Sequence, residues 1–129
     1  KELSKDKKLH MSIVTNKPTL LAYKIVTKQA WGKYFDYVIG IDFPKVKHSD
    51  EPFTNKTETL MYTIKQSGIS SSNTYYFGDT MGDMSASQEN RVQFIAVKYG
   101  FYDWKEHEIG NSQSIKTAKE IIKAIKEMT

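Results

Sequence analysis

Tyr75-Tyr76-Phe77-Gly78-Asp79-Thr80-Met81-Gly82-Asp83 carries an aromatic, β-prone run into a turn and then into helical spacing. Gly78 breaks the run and sets Asp79 on the lip where a strand ends. Asp83 follows in the next turn of chain, where Met81, Met84 and Ala86 open a helix, so both carboxylates converge on the mouth of one strand-to-helix turn. In open α/β sheets, ligands bind outside the carboxyl ends of strands. Two carboxylates there suit a hard cation such as Mg²⁺, which takes oxygen ligands and bridges to substrate phosphate. The plainer reading makes Asp83 a helix cap and Asp79 a turn residue; Gly-Asp-x-x-x-Asp by itself leaves both open.

Outward from this junction, the chain alternates between the two periods. Upstream, Thr54 or Asn55 caps a helix over 56–66, with Leu60, Met61 and Ile64 at helical spacing and Gly68 as its stop. Before it, 42–55 reads as an irregular loop holding Pro44, Pro52 and an exposed His48, and Tyr37 to Ile41 as a short buried strand. Leu9 to Thr15 reads as another strand, with His10 a satisfied polar residue beside it, since no second His or Cys stands at metal spacing. It ends in Thr15-Asn16-Lys17-Pro18, with Pro18 as first helical residue, and the helix over 19–31 buries Leu21, Ala22, Ile25, Val26 and Gln29. Downstream come a helix over 81–89, a strand over 92–98, an aromatic loop over 99–111 containing His107, and a last helix capped by Ser112 or Ser114. The apolar face of that helix is Ile115, Ala118, Ile121, Ile122, Ile125 and Met128. Strands alternating with helices argue a parallel sheet covered on both faces.

Composition narrows the classes. The 129 residues suit a single domain, with 39% apolar and 26% charged residues. The net charge is +4, but Arg91 stands alone among lysines, and planar, bidentate phosphate recognition favours Arg, so nucleic acid is not the expected partner. No apolar run reaches membrane-span length, so no membrane partner is expected. The absence of cysteine excludes disulfide and thiolate chemistry and points to the cytoplasm.

A hydroxyl at one strand end (Thr15), an amine at a helix start (Lys56) and a carboxylate pair at another strand end (Asp79, Asp83) are the parts of a phosphoryl-transfer site. Their order resembles the haloacid dehalogenase superfamily, particularly its phosphoglycolate-phosphatase-like members. The resemblance covers nearly the whole chain. It makes Thr15 the second motif, Lys56 the third and Asp79 with Asp83 the fourth; Lys47 remains a rival for the third, and Lys56-Thr57-Glu58 is preferred because it opens a helix. It implies a Rossmann-like three-layer sandwich with a mostly parallel sheet, residues 1–129 forming one core domain. It further implies Mg²⁺ on Asp79 and Asp83, phosphate held by Thr15, Asn16 and Lys56, and a small phosphorylated metabolite as partner.

One motif is missing. The family's Asp-x-Asp, which supplies the nucleophilic and acid/base aspartates from the central strand, has no match; Asp36, Asp42, Asp50 and Asp103 have no Asp two residues away at the end of an apolar strand. The cap that relatives insert before the second motif is absent too. Unpaired strand edges are costly to bury, so an upstream segment is expected to complete the sheet, the alternatives being another segment or a second chain in the slot, or direct pairing of the two strands in an altered sheet. The expected activity is Mg²⁺-dependent phosphomonoester hydrolysis through an aspartyl-phosphate, and the alternative is a phosphatase-like binding or regulatory module. A receiver domain fits less well, because there the acidic residues precede the hydroxyl, and a nucleotide-binding Rossmann reading lacks its Gly-rich first turn.

Overall fold

The computed structural model describes residues 1–48, 50–100, 102–110 and 113–128. The chain divides into two compact units, Lys1–Gly68 and Ile69–Thr129. Each is a parallel sheet with helices.

In the first unit, β1 (Ser12–Thr15) and β2 (Tyr37–Gly40) pair in parallel, Ile13 opposite Val38 and Thr15 opposite Gly40. The crossover between them holds α1 (Thr19–Lys28). Side chains alternate along a strand, so Ile13 and Val38 share one face, which meets Ala22 and Val26 of α1. Ile39, 1% exposed, faces the other way. After β2 come α2 (Phe43–His48) and α3 (Lys56–Ser67), and α3 packs on β1 and β2. Tyr62 of α3 sits between the rings of Phe43 and Phe53, with centroids 5.5 and 5.4 Å away. The ends of α3 follow the sequence reading: Asn55 accepts from the Glu58 N–H at 3.0 Å, and Gly68 takes a left-handed φ of 71°.

In the second unit, β3 (Tyr75–Gly78), β4 (Gln93–Val97) and β5 (Gln113–Ile115) form a parallel sheet in that order. Period-2 alternation divides its core. Tyr76, Phe94 and Ala96 face Met84 of α4 (Met81–Glu89), Trp104, and Ile109 of α5 (Glu106–Ile109). Tyr75, Phe77, Ile95 and Val97 pack with Ile115 and with Ile121 of α6 (Lys119–Met128). The central strand β4 buries Phe94, Ile95, Ala96 and Val97, the large members of which contribute about 1.5–3 kcal/mol each.

Several expectations are corrected. Leu21 and Ile25 are 45% and 41% exposed and Gln29 is exposed too; Ala22 and Val26 are buried as expected, joined by Thr19, a narrower stripe on a helix that ends at Lys28. Pro18 is the N-cap, one residue outside the helix. The 42–55 segment contains α2, and the 99–111 loop contains α5 with His107 in it. Ile115 belongs to β5, not to the last helix, which starts at Lys119. The expectations for Phe101, Asn111 and Ser112, and for the side chains of His48 and Met128, lie outside the described residues. Among the described residues, β1 pairs with β2 alone and β3 with β4 alone, so each is an edge strand.

Candidate active site

In the second unit the site grows from Gly78, the buried last residue of β3. A Cβ there would lie 2.8 Å from both Cγ and Oδ2 of Asp83, so glycine makes the space into which the Asp83 carboxylate folds back under the strand end. Asp83 is 3% exposed. Its Oδ2 accepts from the N–H groups of Asp79 (3.1 Å) and Thr80 (3.2 Å), and its Oδ1 from the Tyr76 hydroxyl (3.2 Å). The Asp83 N–H in turn donates to Thr80 Oγ1 at 3.1 Å, closing a capping box on α4. Burial, together with the Asp83 charge, pushes the Tyr76 hydroxyl well above the ordinary phenol range and keeps it a donor. The expected convergence of Asp79 and Asp83 is therefore real, but it runs from carboxylate to backbone: Asp83 grips the amide of Asp79. The Asp79 carboxylate, half-buried, has no hydrogen bond among the described residues.

The first unit gathers different parts. Thr15 ends β1, and its Oγ1 accepts from the Lys17 N–H at 3.1 Å, which folds the Asn16 turn over the strand end. With one lone pair so engaged, the hydroxyl proton remains to be donated. Asp42, just beyond β2, was not singled out from the sequence. Its Oδ1 accepts from the Thr19 N–H at 2.7 Å, so it caps α1 across the sheet, and that bond is the main force holding its carboxyl below the usual range. Thr19 Oγ1, 1% exposed as a residue, accepts from the Gly40 N–H at 3.1 Å. Lys56 opens α3 and is half-buried. Shortly before it, the Phe53 N–H donates to the Ile41 carbonyl (2.8 Å), which brings the start of α3 to the carboxyl end of β2, where Thr15 lies opposite Gly40. Lys47 lies in α2 and is exposed.

Asp42 was legible only through topology: in a parallel pair, the end of β2 stands beside the start of the helix that leaves β1. Gly100 belongs to the stretch 99–104, which by following a strand end is expected either to border the site or to pack over the core. It follows β4, the neighbour of β3, and lies against Asp79.

Comparison with known proteins agrees with this architecture. The family model described as haloacid dehalogenase-like hydrolase matches residues 1–97. A phosphoglycolate phosphatase of Pseudomonas fluorescens is 29% identical over 91 residues, covering 70% of this chain and 31% of the relative. Among solved structures, one titled a predicted phosphatase from Clostridium acetobutylicum matches with a TM-score of 0.79 at 25% identity, over 95% of this chain and 55% of that one. A HAD phosphatase from Thermococcus onnurineus shares the fold with a TM-score of 0.71 at 20% identity, over 96% and 54% of the two chains. The chain thus spans about a third of that curated relative's length and just over half of each solved chain.

Proposed function

Since the chain belongs to the haloacid dehalogenase-like hydrolase family, we propose that it supplies the phosphate-binding and metal-binding residues of a phosphomonoester hydrolase working through an aspartyl-phosphate. On this reading, residues 1–129 are one core domain. It is completed by a strand that carries the Asp-x-Asp nucleophile, a motif these residues do not contain. The edge strands β1 and β3 and the partial span of the relatives support it.

The observation that carries the reading is the division between the two carboxylates at the end of β3. Asp83 spends its oxygens on three donors, while the Asp79 carboxylate, at the strand end, keeps its oxygens available. The donors fit Mg²⁺ as part of a set. A hard cation takes oxygen ligands, and the Asp79 carboxylate would supply such a donor. Asp79 is the ligand, and Asp83 fixes the turn that presents it. Mg²⁺ supplies positive charge that offsets the repulsion between an anionic nucleophile and an anionic phosphate. The Thr15 hydroxyl and the Asn16 amide donate to phosphoryl oxygens, and the Lys56 ammonium neutralises charge on the transferring group. Phosphoglycolate is the first substrate to try, because similar proteins carry that name.

The test is Mg²⁺-dependent phosphate release from a panel of small phosphomonoesters by the natively produced polypeptide. Asp79→Asn should abolish it, and unchanged turnover would refute the assignment. The 129 residues alone should release none, for want of a covalent acceptor; turnover by them would overturn the placing of the nucleophile elsewhere.

A further inference from the structure

Resting on that reading of Asp79, we infer that Gly100 is a positioning residue: its backbone is the surface that holds the Asp79 carboxylate in place. A Cβ on Gly100 would lie 2.5 Å from Asp79 Oδ2 and 2.9 Å from Cγ, and would overlap Asp79 Cβ as well. Glycine is required here by space and not by backbone conformation, since the glycines with positive φ are Gly68 and Gly110.

Both sides of this contact are tied into the fold nearby. The loop after β4 is anchored at its start by the Lys98 N–H, which donates to the Ile115 carbonyl at 2.8 Å. Beyond Gly100, Trp104 Nε1 donates to the Val97 carbonyl at 3.2 Å, tying the loop back onto the strand it left. Trp104 is 8% exposed, packed against Phe94 and edge-on to Tyr102, with centroids 5.7 and 4.9 Å away. On the other side, the Asp79 amide is held by Asp83 Oδ2. Its carboxylate has no hydrogen-bond partner among the described residues, and the Gly100 backbone lies close beside it. A methyl group at position 100 would overlap the Asp79 Cβ as well as its carboxylate, so turning the carboxylate alone cannot relieve the clash and Asp79 has to shift as a whole. The geometry of a ligand is tuned by what supports it, and such support is commonly worth tenfold or more in metal affinity.

A mutant cycle in the natively produced polypeptide tests this, with two readouts: the thermal unfolding midpoint without metal, and Mn²⁺-induced NMR broadening of the amides of residues 78–80 and 100. Gly100→Ala should lower the midpoint in the parent but not in an Asp79→Gly background, where the space has been vacated. It should also raise the Mn²⁺ concentration needed for half-broadening by about tenfold or more. Gly82→Ala, whose Cβ would meet Thr80 Oγ1 at an ordinary 3.7 Å, should leave the broadening unchanged. If Gly100→Ala alone does not fold but folds together with Asp79→Gly, the coupling is upheld in its strongest form. Equal losses in both backgrounds, or no loss in either, overturn the inference. Coupling without any Mn²⁺ broadening of the parent overturns instead the metal reading of Asp79.

Discussion

At the end of β3, helix α4 is capped from its own first turn; at the end of β1, helix α1 is capped from across the sheet. The first junction uses Thr80 and Asp83, three residues apart, and the Asp83 carboxylate also gathers the Asp79 amide and the Tyr76 hydroxyl. The second uses Asp42, which lies 23 residues from the Thr19 amide it accepts from. Each junction needs a strand-ending glycine beside it: a Cβ on Gly78 would stand 2.8 Å from the Asp83 carboxylate carbon, while one on Gly40, at the end of β2, would overlap the Lys17 carbonyl oxygen and stand 2.6 Å from the Thr19 nitrogen. What differs is how much depends on one side chain. Asp83 is buried and serves three donors, whereas Asp42 is half-buried and relieves one amide, so the same residue type should carry unequal energies.

The largest effect should follow Asp83→Ala. It strands a buried hydroxyl and two turn amides, and urea unfolding should show a loss of about 3 kcal/mol. Asp42→Ala removes a single helix-capping acceptor and should cost about 1 kcal/mol. A loss as large as that of Asp83→Ala would break the comparison. Asp42 also sharpens it through pH. Its folded carboxyl is held below the ordinary value, so its contribution is present above the ordinary carboxylate range and is lost as pH falls through the lowered folded value. Asp42→Asn should therefore flatten the acid limb of stability against pH, below about pH 4, leaving the limb near neutrality unchanged. Smallest, and opposite in sign, is Gly82→Ala in the exposed first turn of α4. The added methyl meets only ordinary contact, and thermal unfolding should show a gain of about 0.5 kcal/mol.

The same contrast explains what could be read from the sequence. The α4 junction and the ends of α3 are short-range devices, so Gly78, Asp79, Asp83, Asn55 and Gly68 announce their places within a few residues. Asp42 acts across neighbouring strands, and nothing adjacent to it in the chain says so until strand order is known; the stretch holding Gly100 could be placed near a strand end, but its contact with Asp79 could not. Short elements escaped for another reason. β5 has three residues, of which Ile115 is buried, and Ile115 also fits the helical spacing of the isoleucines that follow. On α1 the run of Leu20, Leu21, Tyr23 and Ile25 offers more apolar residues than the helix buries, so periodicity alone chose too wide a face.

The central claim is that the two aspartates of Gly78-Asp79-Thr80-Met81-Gly82-Asp83 divide their labour, Asp83 holding the turn and Asp79 serving the chemistry. Urea unfolding of Asp79→Asn beside Asp83→Asn tests it most directly. Asp79→Asn should stay within about 0.5 kcal/mol of the parent, as expected where a side chain makes no hydrogen bond the fold uses, while Asp83→Asn should lose about 2 kcal/mol. Equal losses in the two variants would contradict the division.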